Sequence, residues 1–139
     1  MADKAMISPA LTAPSLDDFE ALARRAWASL PEAFRLAAGD VVFRIEDFAD
    51  EHILADLGLQ DPFELTGLYT GIDLTRQSIT SPSHEIPMVF LYRRPILDEW
   101  ADRGDVTLNE LVTHVLVHEI GHHLGLSDDD MHAILETAD

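Results

Sequence analysis

The sequence predicts a small α+β domain, a twisted mixed sheet of about three to four strands packed on several helices. Three observations carry that expectation. Apolar residues recur at helical spacing near the start (Leu16, Phe19, Leu22, Ala23, Ala26, Trp27, Leu30) and again near the end (Leu108, Leu111, Val112, Val115, Leu116, Ile120). Short stretches of strand character lie between these two helices. With 139 residues, 47% of them hydrophobic, and neither an internal repeat nor a low-complexity tract, the chain is suited to one core.

The elements follow in order. Residues 1–14 are rich in Ala, Pro and Ser and read as a flexible leader, so that 15–139 forms the single domain. Ser15 with Asp18 can cap a first helix over about 16–29, and Pro31 breaks it. A short turn around 32–37 then leads to Gly39. Val41, Phe43 and Ile45 alternate with Val42, Arg44 and Glu46, the pattern of a half-buried strand. Residues 48–58 allow a short helix ending at Gly58. Residues 68–72 can form a second strand, whose glycines mark a tight turn or a close approach. The polar segment 75–85 reads as an exposed loop. Ile86–Tyr92 is a continuous apolar run with Pro87 near its start, which fits a strand buried on both faces or an edge strand. A helix over about 95–103 stops at Gly104, the next spans about 107–124, and a last one, capped by Ser127 with Asp130, spans about 128–136.

Composition excludes several classes of function. The net charge is −17, with 26 acidic residues against 9 basic ones. Such a surface repels phosphate backbones, which argues against a nucleic-acid partner, and it favours cationic partners and metal ions. There is no cysteine, so any metal site must use His and carboxylate ligands. The N-terminal stretch lacks a continuous apolar segment of signal-peptide length, and no run approaches a membrane span. A soluble cytoplasmic protein without membrane contact is expected.

The chemistry concentrates in His118-Glu119-Ile120-Gly121-His122-His123-Leu124-Gly125-Leu126-Ser127-Asp128. H-E-x-x-H on a helix is a zinc-hydrolase signature. Four residues advance a helix by about 400° and roughly 6 Å, so His118 and His122 stack on one face and can converge on one tetrahedral Zn²⁺. Glu119 lies about 100° around from His118, beside the metal rather than on it, where a carboxylate can act on water. Thr107 with Glu110 forms a capping box at the start of this helix, and Gly125 can end it in a left-handed conformation. The next candidate ligand is Asp128, completing H-E-x-x-H-x-x-G-x-x-D, the metzincin pattern with Asp in place of the last His. Asp128 has a competing role at the start of the last helix, and Asp129 and Asp130 compete with it as ligands.

The other histidines read differently. His114 shares a face with His118 but lies about 12 Å along the axis from His122, too far to join both on one metal. His123 points about 100° away from His122, which favours packing or an orienting hydrogen bond. His52, His84 and His132 read as surface residues, and Met131 as core. Tyr69, Tyr92 and Arg93 are conceivable helpers for a developing oxyanion, although sheet packing and surface charge explain them as well.

The segment HEIGHHLGLSDDDM resembles the C-terminal motif of the minimal zincins, short bacterial zinc metallopeptidases carrying H-E-x-G-H-x-x-G-x-x-D. LTGLYTGIDLTRQS (65–78), IPMVFLYRRPIL (86–97) and SLPEAFR (29–35) resemble other segments of that family more weakly. The resemblance runs from about Leu16 to Met131. It implies a zinc-binding α+β domain, its sheet packed on the H-E-x-x-H helix, with proteolytic activity and no defined substrate. The expected function is therefore peptide-bond hydrolysis. One Zn²⁺ per chain on His118, His122 and Asp128 activates a water, with Glu119 as general base. If 86–92 is an edge strand, an extended peptide could add to it beside the metal. The rival reading is a non-catalytic zinc-binding interaction module using the same site structurally.

Overall fold

The computed structural model describes residues 12–73 and 85–138. Most of the expected leader, and the polar loop with His84, lie outside the described residues. The first helix, α1 (Leu16–Ser29), starts at a reciprocal capping box. The Asp18 N–H donates to Ser15 Oγ at 3.1 Å, and the Ser15 N–H donates to the Asp18 carboxylate at 2.8 Å. Its stripe of Phe19, Ala23 and Ala26 is buried, as is Leu30 just beyond. Full burial of a side chain the size of Phe contributes about 1.5–3 kcal/mol relative to exposure.

Residues 32–37, expected as a turn, belong to a helix, α2 (Glu32–Ala38). Pro31 ends α1 and serves as the N-cap of α2, and Phe34 and Ala38, four residues apart, bury one face of it. Strand β1 (Val42–Glu46) keeps the expected alternation, with Phe43 and Ile45 packed on the core and Val42 and Arg44 exposed. Asp50 caps α3 (Glu51–Asp56) by accepting the Ile53 N–H, and a single 3₁₀ turn follows at Pro62–Glu64.

Strands β2 (Gly67–Asp73) and β3 (Glu85–Tyr92) complete a three-stranded mixed sheet in the order β1-β3-β2. β1 is parallel to β3, and β2 is antiparallel to it. The apolar run is therefore the central strand, not an edge. This also explains its unbroken hydrophobicity: Val89 and Leu91 face the main core, while Phe90 and Tyr92 face a smaller cluster with Ala49, Leu54 and Leu68. The register aligns Phe43, Val89 and Tyr69 in one row, and Ile45, Leu91 and Gly67 in the next.

Helix α4 (Arg93–Arg103) follows β3 directly, two residues earlier than Pro95 alone indicates, with Pro95 in its first turn where a missing N–H costs nothing. Gly104 ends it at φ 74°. Arg93 is fixed structurally, with its guanidinium 2.7 Å from Asp47 and 2.8 Å from the Pro14 carbonyl. The hub of the domain is α5 (Leu108–His123), which packs against α1, α4, β2, β3 and the last helix, α6 (Asp128–Thr137). Among the described residues no helix is long and apolar enough to cross a membrane.

Candidate metal centre

The two halves of α5 differ in character. Up to Val117 it is a core helix, with Leu111, Val112, Val115, Leu116 and Val117 all buried. From His118 onward polar groups emerge on one side, while Ile120 and Gly121 stay buried on the other. The Thr107–Glu110 capping box fixes the start, with Thr107 N–H to Glu110 at 2.9 Å and Glu110 N–H to Thr107 Oγ1 at 3.0 Å. The Thr107 backbone N–H first, then its hydroxyl, act on the Glu110 carboxylate and hold its pKa below the ordinary value. A Schellman motif closes the other end: the Leu126 N–H reaches the Gly121 carbonyl at 2.9 Å, the Gly125 N–H reaches that of His122 at 3.1 Å, and Gly125 takes φ +77°.

His118 and His122 lie one turn apart with ring centroids 5.6 Å apart and rings nearly perpendicular. His118 is partly buried and His122 exposed. The His114 ring lies face to face with that of His118, at 4.2 Å and 24°, so it supports the side of one candidate ligand rather than joining the pair. Burial, the neighbouring His118 and Arg103 together push its pKa down. His123 turns the other way, onto the ring of Tyr69, at 4.0 Å and 29°.

Glu119, like His118, is half-buried. Its carboxylate accepts a hydrogen bond from the backbone N–H of Tyr69 on β2. The direction of that N–H follows from the register. Tyr92 N–H donates to the Thr66 carbonyl at 2.9 Å, so by the two-residue alternation of an antiparallel pair Leu68 and Thr70 bond to β3. The backbone groups of Gly67, Tyr69 and Gly71 then point outward along the edge of β2 that pairs with no other strand among the described residues. Burial raises the pKa of Glu119. The nearby His122 and the Tyr69 N–H oppose the rise without cancelling it.

Gly67 makes the approach of helix to strand possible. A Cβ there would stand 2.7 Å from Val115 Cγ1 and 3.4 Å from Glu119 Cγ. Gly121, inside the motif, does the same for α6: a Cβ would stand 2.5 Å from the Met131 Sδ. Met131 is fully buried there, as core packing.

Asp128 lies in the first turn of α6 and is exposed, just past the reversed chain at Gly125. Ser127 is the cap, and its N–H binds the Asp130 carboxylate at 3.2 Å. Asp130 is thus engaged in capping, while Asp128 and Asp129 make no such bond among the described residues. As the side chains stand, no three His, Asp or Glu among the described residues are grouped to enclose a metal ion. The donor chemistry nonetheless fits zinc: two imidazoles on one helix face, a carboxylate across a tight turn, and a second carboxylate beside the pair.

Tyr69, named from the sequence only as a conceivable oxyanion helper, enters through its backbone N–H and its stacking on His123, and Gly67 was not legible as part of the site, since the sequence marks only close approach somewhere around the glycines of β2. Tyr92 lies on the opposite face of the sheet. It is fully buried, and its hydroxyl has no hydrogen-bond partner among the described residues. Burial first, then the negative field of Glu46, Asp50 and Glu119, raises its pKa.

A small mixed sheet with an H-E-x-x-H helix laid across it, its acidic residue reaching the free edge strand, defines a zincin-like arrangement. The chain matches the family model described as zincin-like metallopeptidase over residues 38–137, and it belongs to that family. The match runs from the end of α2 through α6, so α1 lies outside it. Comparison with curated proteins finds no match.

Proposed function

We propose that the protein is a zinc-dependent metallopeptidase in which His118, His122 and Asp128 hold one Zn²⁺ and Glu119 is the general base. The observation that carries this reading is the setting of Glu119. It is half-buried beside His122, bonded to an outward N–H of the free sheet edge, and holds its proton more tightly than an ordinary carboxylate does. A base of raised pKa is suited to both halves of the reaction, taking a proton from water and returning it to the leaving amine. Zinc, when bound, would supply Lewis acidity to polarise the water and the peptide carbonyl. The free edge of β2, rather than β3, is the strand along which an extended peptide could lie. On this reading the substrates are peptides or proteins and the compartment is the cytoplasm.

Elemental mass spectrometry on untagged protein tests the metal site. About one zinc per chain is expected, lost in His122→Ala and weakened in Asp128→Ala. A protein that holds no zinc after loading and washing would overturn the reading. Glu119→Gln should keep the metal and lose peptide cleavage, whereas a wild type that binds zinc and cleaves nothing in a broad peptide library would leave a binding module.

A further inference from the structure

Beyond Glu119, the edge of β2 leads to a cavity of about 370 Å³ that the mechanism does not use. Its wall toward the metal helix is the stacked pair of Tyr69 and His123, and Pro87 of β3 adjoins them. Ala38, at the end of α2, and Asp40 also line it. Leu124 completes the lining at the C-terminal end of α5.

Three features give the cavity one electrostatic sign. Asp40 is exposed and forms no ion pair among the described residues, so its carboxylate is available. The C-terminal end of the sixteen-residue α5 faces the cavity. Its capping motif satisfies the carbonyls of Gly121 and His122, while those of His123 and Leu124 accept no backbone N–H among the described residues, so partial negative charge remains there. Among the described residues no Lys or Arg lines the cavity. The aromatic wall adds a surface against which an alkyl chain or a guanidinium can lie.

Position ties the cavity to the chemistry. Tyr69 belongs to both: its N–H holds the Glu119 carboxylate, and its ring forms the wall. We propose that this cavity is a specificity subsite for a basic side chain, Lys or Arg, of a peptide lying along the edge of β2. The catalytic consequence, cleavage close to a basic residue, rests on the metallopeptidase reading; the binding itself does not.

The test uses full-length Glu119→Gln protein, with and without zinc, and two probes with the same four-carbon side chain, N-acetyl-lysine amide, which carries the ammonium, and N-acetyl-norleucine amide, which lacks it. Binding is followed by NMR at Tyr69 and His123. The lysine probe is expected to bind at least about tenfold more tightly, a difference of about 1.4 kcal/mol, with saturable shifts at those two residues. Adding Asp40→Asn should remove most of that preference, while Asp17→Asn, on α1, should leave it intact. Equal affinity for both probes would overturn the proposal. So would a lysine preference that survives Asp40→Asn, or shifts spread over the acidic surface without saturation at Tyr69 and His123. The two readings fail separately. Wild-type cleavage of peptides with no basic preference sinks the subsite alone. Saturable lysine binding, with a zinc-loaded wild type that cleaves nothing, supports the subsite and sinks the peptidase.

Discussion

Helix α5 offers a comparison within one element. Its first half is held by what surrounds it, with Leu111, Val112, Leu116 and Val117 closed in by neighbouring elements. Its second half keeps one buried line, Ile120 and Gly121, and turns His118, Glu119, His122 and His123 toward β2 and solvent. The difference teaches how a small domain positions a reactive group without a deep cleft. The buried half sets the axis of the helix, and the close contacts at Gly67 and Gly121 set its height over the sheet and over α6. The side chains of the exposed half then need little further support.

If that division holds, the largest effect should come from a change that touches no packing. Glu119→Gln is expected to lower peptidase activity by about 10²–10⁴-fold, with the melting temperature and zinc content essentially retained. A collapse of the fold in this variant would erase the distinction between the halves. Leu116→Ala should do the reverse, costing about 2–5 kcal/mol in a urea titration, with cleavage per folded molecule preserved. Gly121→Ala lies on the boundary. Its methyl group would overlap the buried Met131, and a cost of about 1–3 kcal/mol is expected, together with weaker zinc retention as α6 is displaced. A Gly121→Ala protein with both properties unchanged would show that α6 is not seated by this contact.

Two smaller effects sharpen the picture. Glu119 has a hydrogen bond at the edge of the sheet, whereas the Tyr92 hydroxyl on the far face has none among the described residues. Tyr92→Phe should therefore be neutral, or stabilising by up to about 1 kcal/mol, because it removes a buried group without a partner. A clear loss of stability would reveal a partner for that hydroxyl. Glu110 is the acidic half of the α5 cap, and its pKa lies below the ordinary value. The folded state thus binds its proton less readily than the unfolded state does. The contribution is present above the unfolded pKa and fades as pH falls through the folded one. Glu110→Gln should flatten the acid limb of the stability profile slightly and leave neutral-pH activity unchanged.

The parts of this molecule legible in the sequence are those written in neighbouring residues. The boxes Ser15–Asp18, Thr107–Glu110 and Ser127–Asp130 act over three residues, and all three form. Gly125 ends α5 where its spacing indicates. Helix α2 was hidden because Pro31 signals an interruption equally well whether a turn or a new helix follows. The place of β3 in the sheet was hidden for a different reason. An apolar strand fits either an edge or a centre, and only its pairing with β1 and β2 decides. The hydrogen bond from Tyr69 to Glu119 and the juxtaposition of Asp40 with His123 join segments far apart in the chain. They depend on a register that no local pattern records.

The central position of α5 also sets the order in which the protein can be made. Chains emerge from synthesis N-terminus first and fold as units. Here α1, the sheet and α4 all close on a helix that begins at Leu108. Until it arrives, Phe19, Val89, Leu91 and Ile96 have no common partner to cover them. Contacts of such long sequence separation slow folding, because a large loop must close before they form. The helix that completes the core is also the helix that carries His118, Glu119 and His122. The candidate histidine pair is therefore set in place by the same helix that joins the parts of the core, and its geometry depends on that core being formed.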